Sequence, residues 1–305
     1  VHTPIAVIDI GSNTLRLLIA ARESGRLRRL LSERRVTRLA KGLISTRNLN
    51  KDSIEISVSC LAEFKVKCES YGVSGIHAIG TSALREANDS GRFIERVGQE
   101  TGIAIKVLSG EEEALLTLAG ITGLGPEKPA LAVDIGGGST ELVLTRNATA
   151  AYSIPVGALK LFEQFIYSDP PSLSDIERMK ASISSALSHA VSSIVDDPGF
   201  GSTRLTAVTG GSPTTLAAIK LGMRDYDGDR VHGLRLAYAE ISSIFLDLCA
   251  KTHSERLDIA GMEKERADII ISGVAIIIAI MEALSIKEIT VSDYGLMEGL
   301  ALTLV

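Results

Sequence analysis

The chain has 305 residues, 45% of them apolar and 23% charged, with a formal net charge of -5. This excludes a disordered chain and suffices for one or two packed domains. It also excludes a general basic field for nucleic acid, so any polyanion must be held locally.

Ile5 to Ala20 reads as strand, glycine turn and strand, broken at Asp9, Ile10, Gly11, Ser12, Asn13 and Thr14. From Arg22 to Lys51, ten Lys or Arg residues stand against Glu23 and Glu33. A solvated hairpin surface is the ordinary reading of such a run; an electropositive ramp toward an anionic substrate is the sharper one. Ser53 to Tyr71 carries a helical apolar stripe (Ile54, Val58, Leu61, Phe64, Cys68) with Asp52 as its expected cap. Gly75 to Gly80 reads as a buried strand, and the following Thr81 to Ala87 puts Arg85 on a loop or first helical turn. Ile103 to Leu108 is another strand, and Ser109-Gly110-Glu111-Glu112-Glu113-Ala114 opens a helix with carboxylates in its first turn.

The turn-rich stretch Gly123 to Pro129 is the expected linker, which gives domains 1–124 and 125–305. Directly after it the first unit recurs, 125 residues on: Ala130 to Val133, then Asp134-Ile135-Gly136-Gly137-Gly138-Ser139-Thr140, then Leu142 to Leu144. Leu173 to Val195 reads as a long helix begun near Ser174, and Leu205 to Val208 as a strand feeding Gly210, Gly211 and Ser212 at a helix start. The apolar run Ile269 to Met281 has 13 residues; a membrane span needs about 20, so a buried helix is expected and no membrane partner. A strand over Glu288 to Val291 and a short helix over Tyr294 to Leu304 close the pattern. Strands alternating with helices give an α/β class.

The chemistry sits at the turns. Glycine turns let backbone N–H groups point at phosphate oxygens, so Gly11, Ser12, Asn13 and Thr14 form one candidate phosphate loop, and Gly136, Gly137, Gly138, Ser139 and Thr140 a second. Gly210, Gly211 and Ser212 offer amides at a helix N-terminus as a third. Asp9 and Asp134, each just before a glycine turn, are candidate magnesium ligands, manganese being the alternative; a plain turn cap is the other reading. Glu141, just after the second loop, is a further candidate carboxylate, with a solvated turn residue as the default. Glu113 is placed to orient water for in-line attack, against the reading in which Glu111, Glu112 and Glu113 are only dipole partners. Arg85 is a candidate bidentate phosphate ligand, or else a surface partner of Glu86. No GxxxxGK[ST] loop and no HExxH pair occurs. Cys60, Cys68 and Cys249 fit neither a disulfide framework nor a zinc spacing. With no secretory signal at the start of the chain, reduced thiols and a cytoplasmic location are expected.

Five blocks together, Asp9 to Arg16, Thr81 to Ala87, Ser109 to Ala114, Asp134 to Glu141 and Ser292 to Gly299, resemble the Ppx/GppA family of exopolyphosphatases and guanosine pentaphosphate phosphohydrolases, within the actin-like ATPase superfamily. The resemblance implies two ribonuclease-H-like domains flanking a central cleft, with the final helix returning to the first. It implies Glu113 as the water-activating glutamate, Arg85 as the phosphate-binding arginine, Asp134 and Glu141 as the acidic pair near the metal, and a homodimer. The implied substrate is inorganic polyphosphate or guanosine pentaphosphate. Longer relatives carry extra C-terminal helical domains, so short polyphosphates or a nucleotide tail are the expected preference. Two other classes stay open: an ATP-dependent small-molecule kinase of the same superfamily, and a non-catalytic sensor of polyphosphate or guanosine phosphates.

Overall fold

A computed structural model describes residues 3–23, 26–124, 131–144, 150–197, 200 and 205–304, with the backbone alone at 123 and 124. The chain forms two compact units, Val1–Leu124 with Leu296–Val305, and Gly125–Gly295. Residues 125–129 of the expected linker lie outside the described residues.

In the first unit, β1 (Ile5–Ile10) and β2 (Thr14–Glu23) form a hairpin continued by β3 (Arg26–Val36). The short α1 (Leu43–Thr46) and the long α2 (Lys51–Ser70) follow. The cap of α2 is Asn50, whose side chain accepts from the Ser53 N–H; Asp52 lies inside the first turn, past the cap position. Then come β4 (Ile76–Gly80), α3 (Ser82–Glu86), α4 (Ser90–Thr101), β5 (Ile105–Val107) and α5 (Gly110–Leu124). The sheet order is β3-β2-β1-β4-β5, with β1, β4 and β5 parallel.

The second unit repeats this plan. It has β6 (Leu131–Ile135), β7 (Thr140–Leu144), β8 (Ala151–Ile154), α6 (Ala158–Phe165), α7 (Leu173–Val195), β9 (Thr206–Gly210) and α8 (Gly211–Lys220). Next are α9 (Gly228–Val231), β10 (Arg235–Ala237), α10 (Tyr238–Ala250), α11 (His253–Leu257), α12 (Ile270–Ala283) and β11 (Glu288–Val291). Its order β10-β11-β9-β6-β7-β8 contains the same hairpin-plus-parallel arrangement, read from β8 to β11, with β10 added at the edge. The α/β expectation of two such sheets therefore holds.

The 13-residue apolar run is α12, buried from Ile270 to Ile278 and packed on α6, α7, α8 and α10. Burial on all sides, not a single stripe, explains why the run is apolar throughout. No described helix is long and apolar enough to cross a membrane. The last helix, α13 (Leu296–Leu304), belongs to the first unit, where Met297 and Ala301 pack with Ile5, Val7, Leu18 and Ala20. All three cysteines are free, and burial pushes each thiol up to about 11, so they are weak nucleophiles.

Candidate active site

In the first unit the parallel register aligns Ile10 with Gly80 and Gly80 with Val107. The chain therefore leaves β1, β4 and β5 at one sheet edge, where ligands of open parallel sheets bind. That edge carries the Gly11 to Thr14 loop, α3 with Arg85, and the start of α5 with Glu113.

The loop closes by a Gly11 N–H to Thr14 carbonyl bond of 3.1 Å, and a Cβ at Gly11 would lie 2.9 Å from that same oxygen, so only glycine fits. Its outer carbonyls are already engaged. Asn13 O accepts from Thr37 N–H and Arg38 N–H, and Ser12 O from Ala40 N–H. Asp9, 8% exposed, lies directly opposite Arg16 across the hairpin.

The three glutamates at the start of α5 separate cleanly. Glu111 is exposed. Glu112 closes the helix end on Ser109, accepting its N–H at 2.9 Å and a Lys106 ammonium bond at 2.8 Å. The Lys106 bond first, then the Ser109 N–H, holds its carboxyl below the ordinary value. Glu113 turns inward, 7% exposed, and accepts a 2.5 Å bond from Arg85 Nη1. The same nitrogen donates to Leu108 O at 3.0 Å. Arg85 thus pairs with Glu113 across two helices; Glu86 instead accepts from Ser82 Oγ at 2.7 Å.

The second unit carries the corresponding loop. Gly136 N–H bonds Ser139 O at 3.0 Å, and the Gly137 carbonyl is taken by Leu159 and Lys160 N–H groups from α6. Tying down the carbonyls fixes the orientation of the peptide units, which favours anion capture by their amides. Here the hairpin register sets Asp134 opposite Glu141, two carboxylates on one face, where the first unit has Asp9 and Arg16. Glu141 is 2% exposed and accepts from Ser153 Oγ at 2.8 Å. Thr140 Oγ1 donates to Val156 O, which turns the hydroxyl inward.

Gly210 and Gly211 sit beside this loop, because β9 runs parallel to β6 with Ile135 aligned to Gly210. Gly210 has φ 106°, and a Cβ there would meet Ile135 O at 2.4 Å. Gly210→Ala should therefore cost more than about 2 kcal/mol, from left-handed strain plus overpacking; urea unfolding checks this, and a loss under about 0.5 kcal/mol would contradict it. Above Gly211 lies a group the sequence did not signal. The guanidinium of Arg266, held through Nε by Glu263 at 2.7 Å, covers Gly211 so closely that a Cβ would fall 1.9 Å from its carbon. Nothing in the 55-residue gap between the two positions points to this contact.

Among the described residues no three His, Cys, Asp or Glu side chains gather as a closed metal site. The Asp134 and Glu141 pair nevertheless fits a magnesium ion, which takes one or two carboxylates and leaves the rest of its shell to water and phosphate. Two carboxylates directly opposed in a sheet repel each other unless a cation answers them.

The sequence matches the Ppx/GppA phosphatase family over residues 18–305. The chain belongs to that family. This Ppx/GppA protein is 30% identical to exopolyphosphatase 2 of Mycobacterium tuberculosis, over 99% of the chain and 98% of the relative. It is also 30% identical to a guanosine-5'-triphosphate,3'-diphosphate pyrophosphatase of Vibrio vulnificus, over 97% of the chain but only 58% of that longer protein. Among solved structures, the Aquifex aeolicus family member superposes with TM-score 0.81 at 32% identity, covering 99% of this chain and 97% of that one. A Cytophaga hutchinsonii exopolyphosphatase superposes with TM-score 0.90 at 28% identity, with the same coverage.

Proposed function

We propose that this protein hydrolyses the terminal phosphoanhydride bond of linear polyphosphate, with the guanosine pentaphosphate tail as a close variant. The observation that carries the reading is the pair of half-buried Arg85 and buried Glu113 at the same sheet edge as the first glycine loop. Relatives named for both activities support it.

In this reading the amides of Gly11 to Thr14 hold phosphate oxygens in the first unit, where Arg85 places its charge beside the terminal phosphoryl group; the loop Gly136 to Thr140 of the second unit offers the same amide chemistry. Glu113, fixed by Arg85, orients the attacking water and accepts its proton as the water oxygen bonds to phosphorus. The bridging P–O bond breaks and the shortened chain leaves as an anion. In the second unit, Asp134 and Glu141 would hold magnesium, which when bound would supply charge neutralisation to phosphate. Asp9, opposite Arg16, brings less net negative charge to a metal than that pair does. Arg266 adds a cation at the third turn.

A phosphate-release panel of tripolyphosphate, long-chain polyphosphate, guanosine pentaphosphate and ATP tests the reading. Release from the first three, abolished by chelation and restored by magnesium, is expected. Glu141→Gln should raise the magnesium concentration for half-maximal rate about 10-fold or more. Phosphate release from none of them, with tight binding, would mark a sensor; ADP formed only with an added acceptor would mark a kinase.

A further inference from the structure

The row that carries Asp134 and Glu141 extends one strand further in each direction. The registers place Thr209 opposite Asp134, Asp134 opposite Glu141, and Glu141 opposite Ser153 of β8. Directly opposed residues share a sheet face, while the neighbouring Val133, Leu142 and Ile154 join the core on the other face. The matching row of the first unit is Ile79, Asp9 and Arg16, in which a guanidinium stands next to the carboxylate. Thr209, Asp134, Glu141 and Ser153 bring only hydroxyls and carboxylates.

Two adjacent carboxylates repel, so a pair meant for a cation has to be held in place by its surroundings before the cation arrives. Here the two side chains lean apart. Asp134 Oδ1 reaches toward β9, 3.0 Å from where a Cβ of Gly210 would stand. Glu141 Oε1 reaches the other way, toward β8, where Ser153 Oγ donates to it at 2.8 Å. Glu141 is buried, so little water reaches it, whereas Ser153 is exposed on the outermost strand of the sheet. A glutamate side chain loses rotamer freedom when it is fixed, and a hydrogen bond to its charged form is among the strong ones. Ser153 therefore orders the carboxylate as the protein folds.

We propose that Ser153 is a positioning residue for the metal: its hydroxyl holds the Glu141 carboxylate against the repulsion of Asp134, so that the pair accepts magnesium without rearranging. The inference rests on the magnesium assignment within the proposed function, and it acts on the metal, not on the water that Glu113 serves. An exposed serine on an edge strand without this duty would be exchangeable at no cost to metal binding.

The test compares wild type with Ser153→Ala, which removes the donor, and with Ser153→Thr, which keeps it on a residue suited to a strand. Manganese(II) is the probe, its binding to each protein without substrate followed by electron paramagnetic resonance. Ser153→Ala should weaken that binding about 10-fold, and Ser153→Thr less than about twofold. The magnesium concentration for half-maximal phosphate release should rise in Ser153→Ala by about the same factor, with the rate recovered at saturating magnesium. In a Glu141→Gln background, Ser153→Ala should change manganese binding less than about twofold, because the carboxylate it holds is gone. Equal binding by wild type and Ser153→Ala, an equal loss in Ser153→Thr, or the full loss in the Glu141→Gln background would overturn the assignment. Should wild type release no phosphate from any substrate, the phosphohydrolase reading fails, and manganese binding still decides the role of Ser153. Should wild type bind no manganese, the magnesium assignment and this role fall together, whatever the phosphate release.

Discussion

Glu113→Gln should lower kcat for phosphate release by about 10²- to 10⁴-fold, the usual worth of a general base, with KM changed by less than about threefold. The substitution keeps size and an oxygen acceptor for Arg85, so the packing of a side chain only 7% exposed is preserved. What it removes is the negative charge. Neutralising one member of a buried ion pair strands the other, but Arg85 is 21% exposed and keeps its bond to Leu108 O, so water and a carbonyl take up the difference. The melting temperature should consequently move little. Turnover above about one tenth of wild type, well outside the general-base range, would remove Glu113 from the chemistry and leave the pair as a brace between α3 and α5.

Gly299→Ala should be the most damaging small change to the first unit. Gly299 lies on α13 where that helix crosses α5, and a Cβ there would sit 1.7 Å from Leu116 O and 3.0 Å from Gly120 N. Both obstacles are helix backbone, which cannot rotate aside. The helices must separate, and with them go the contacts of Met297 and Ala301 on β1 and β2 and the 2.6 Å ion pair of buried Glu298 with half-buried Arg29. Overpacking alone costs about 1–3 kcal/mol, and loosening the partner of the buried Glu298 carboxylate adds to it. We expect a fall of more than about 3 kcal/mol by denaturant titration. Gly91→Ala, on α4 with open space at its Cβ, is the control and should be neutral or slightly stabilising.

The secondary structure was largely legible because its signals are local. Leu173 to Val195 and Glu288 to Val291 were bounded to the residue by their periodicity and turn chemistry, although the helix cap is Ser172, with Asp175 completing a capping box. The two hairpins announced themselves through an Asp and glycines between apolar runs. What the residues could not decide alone was which of three adjacent glutamates turns inward. Glu112 faces outward because Lys106 and the Ser109 N–H claim its carboxylate, and that leaves Glu113 at the position facing Arg85. Arg85 beside Glu86 reads as a surface pair in one dimension; only the alignment of β4 with β5 brings it to Glu113. Arg266 over Gly211 was invisible for the same reason, since it depends on a 3-10 turn at Lys264–Arg266 reaching back to another helix start.

The return of α13 bears on how the protein is made. Ile5, Val7, Leu18 and Ala20 are synthesised first, yet their cover is residues 296–304, made after the whole of the intervening unit. On the ribosome the first sheet must wait with one apolar face open while the second unit, whose core is drawn from its own sequence, can already close. Nascent chains arrested before residue 296 should then hold a folded second unit beside an adhesive, unfinished first one, and chaperone demand should end as the final helix emerges.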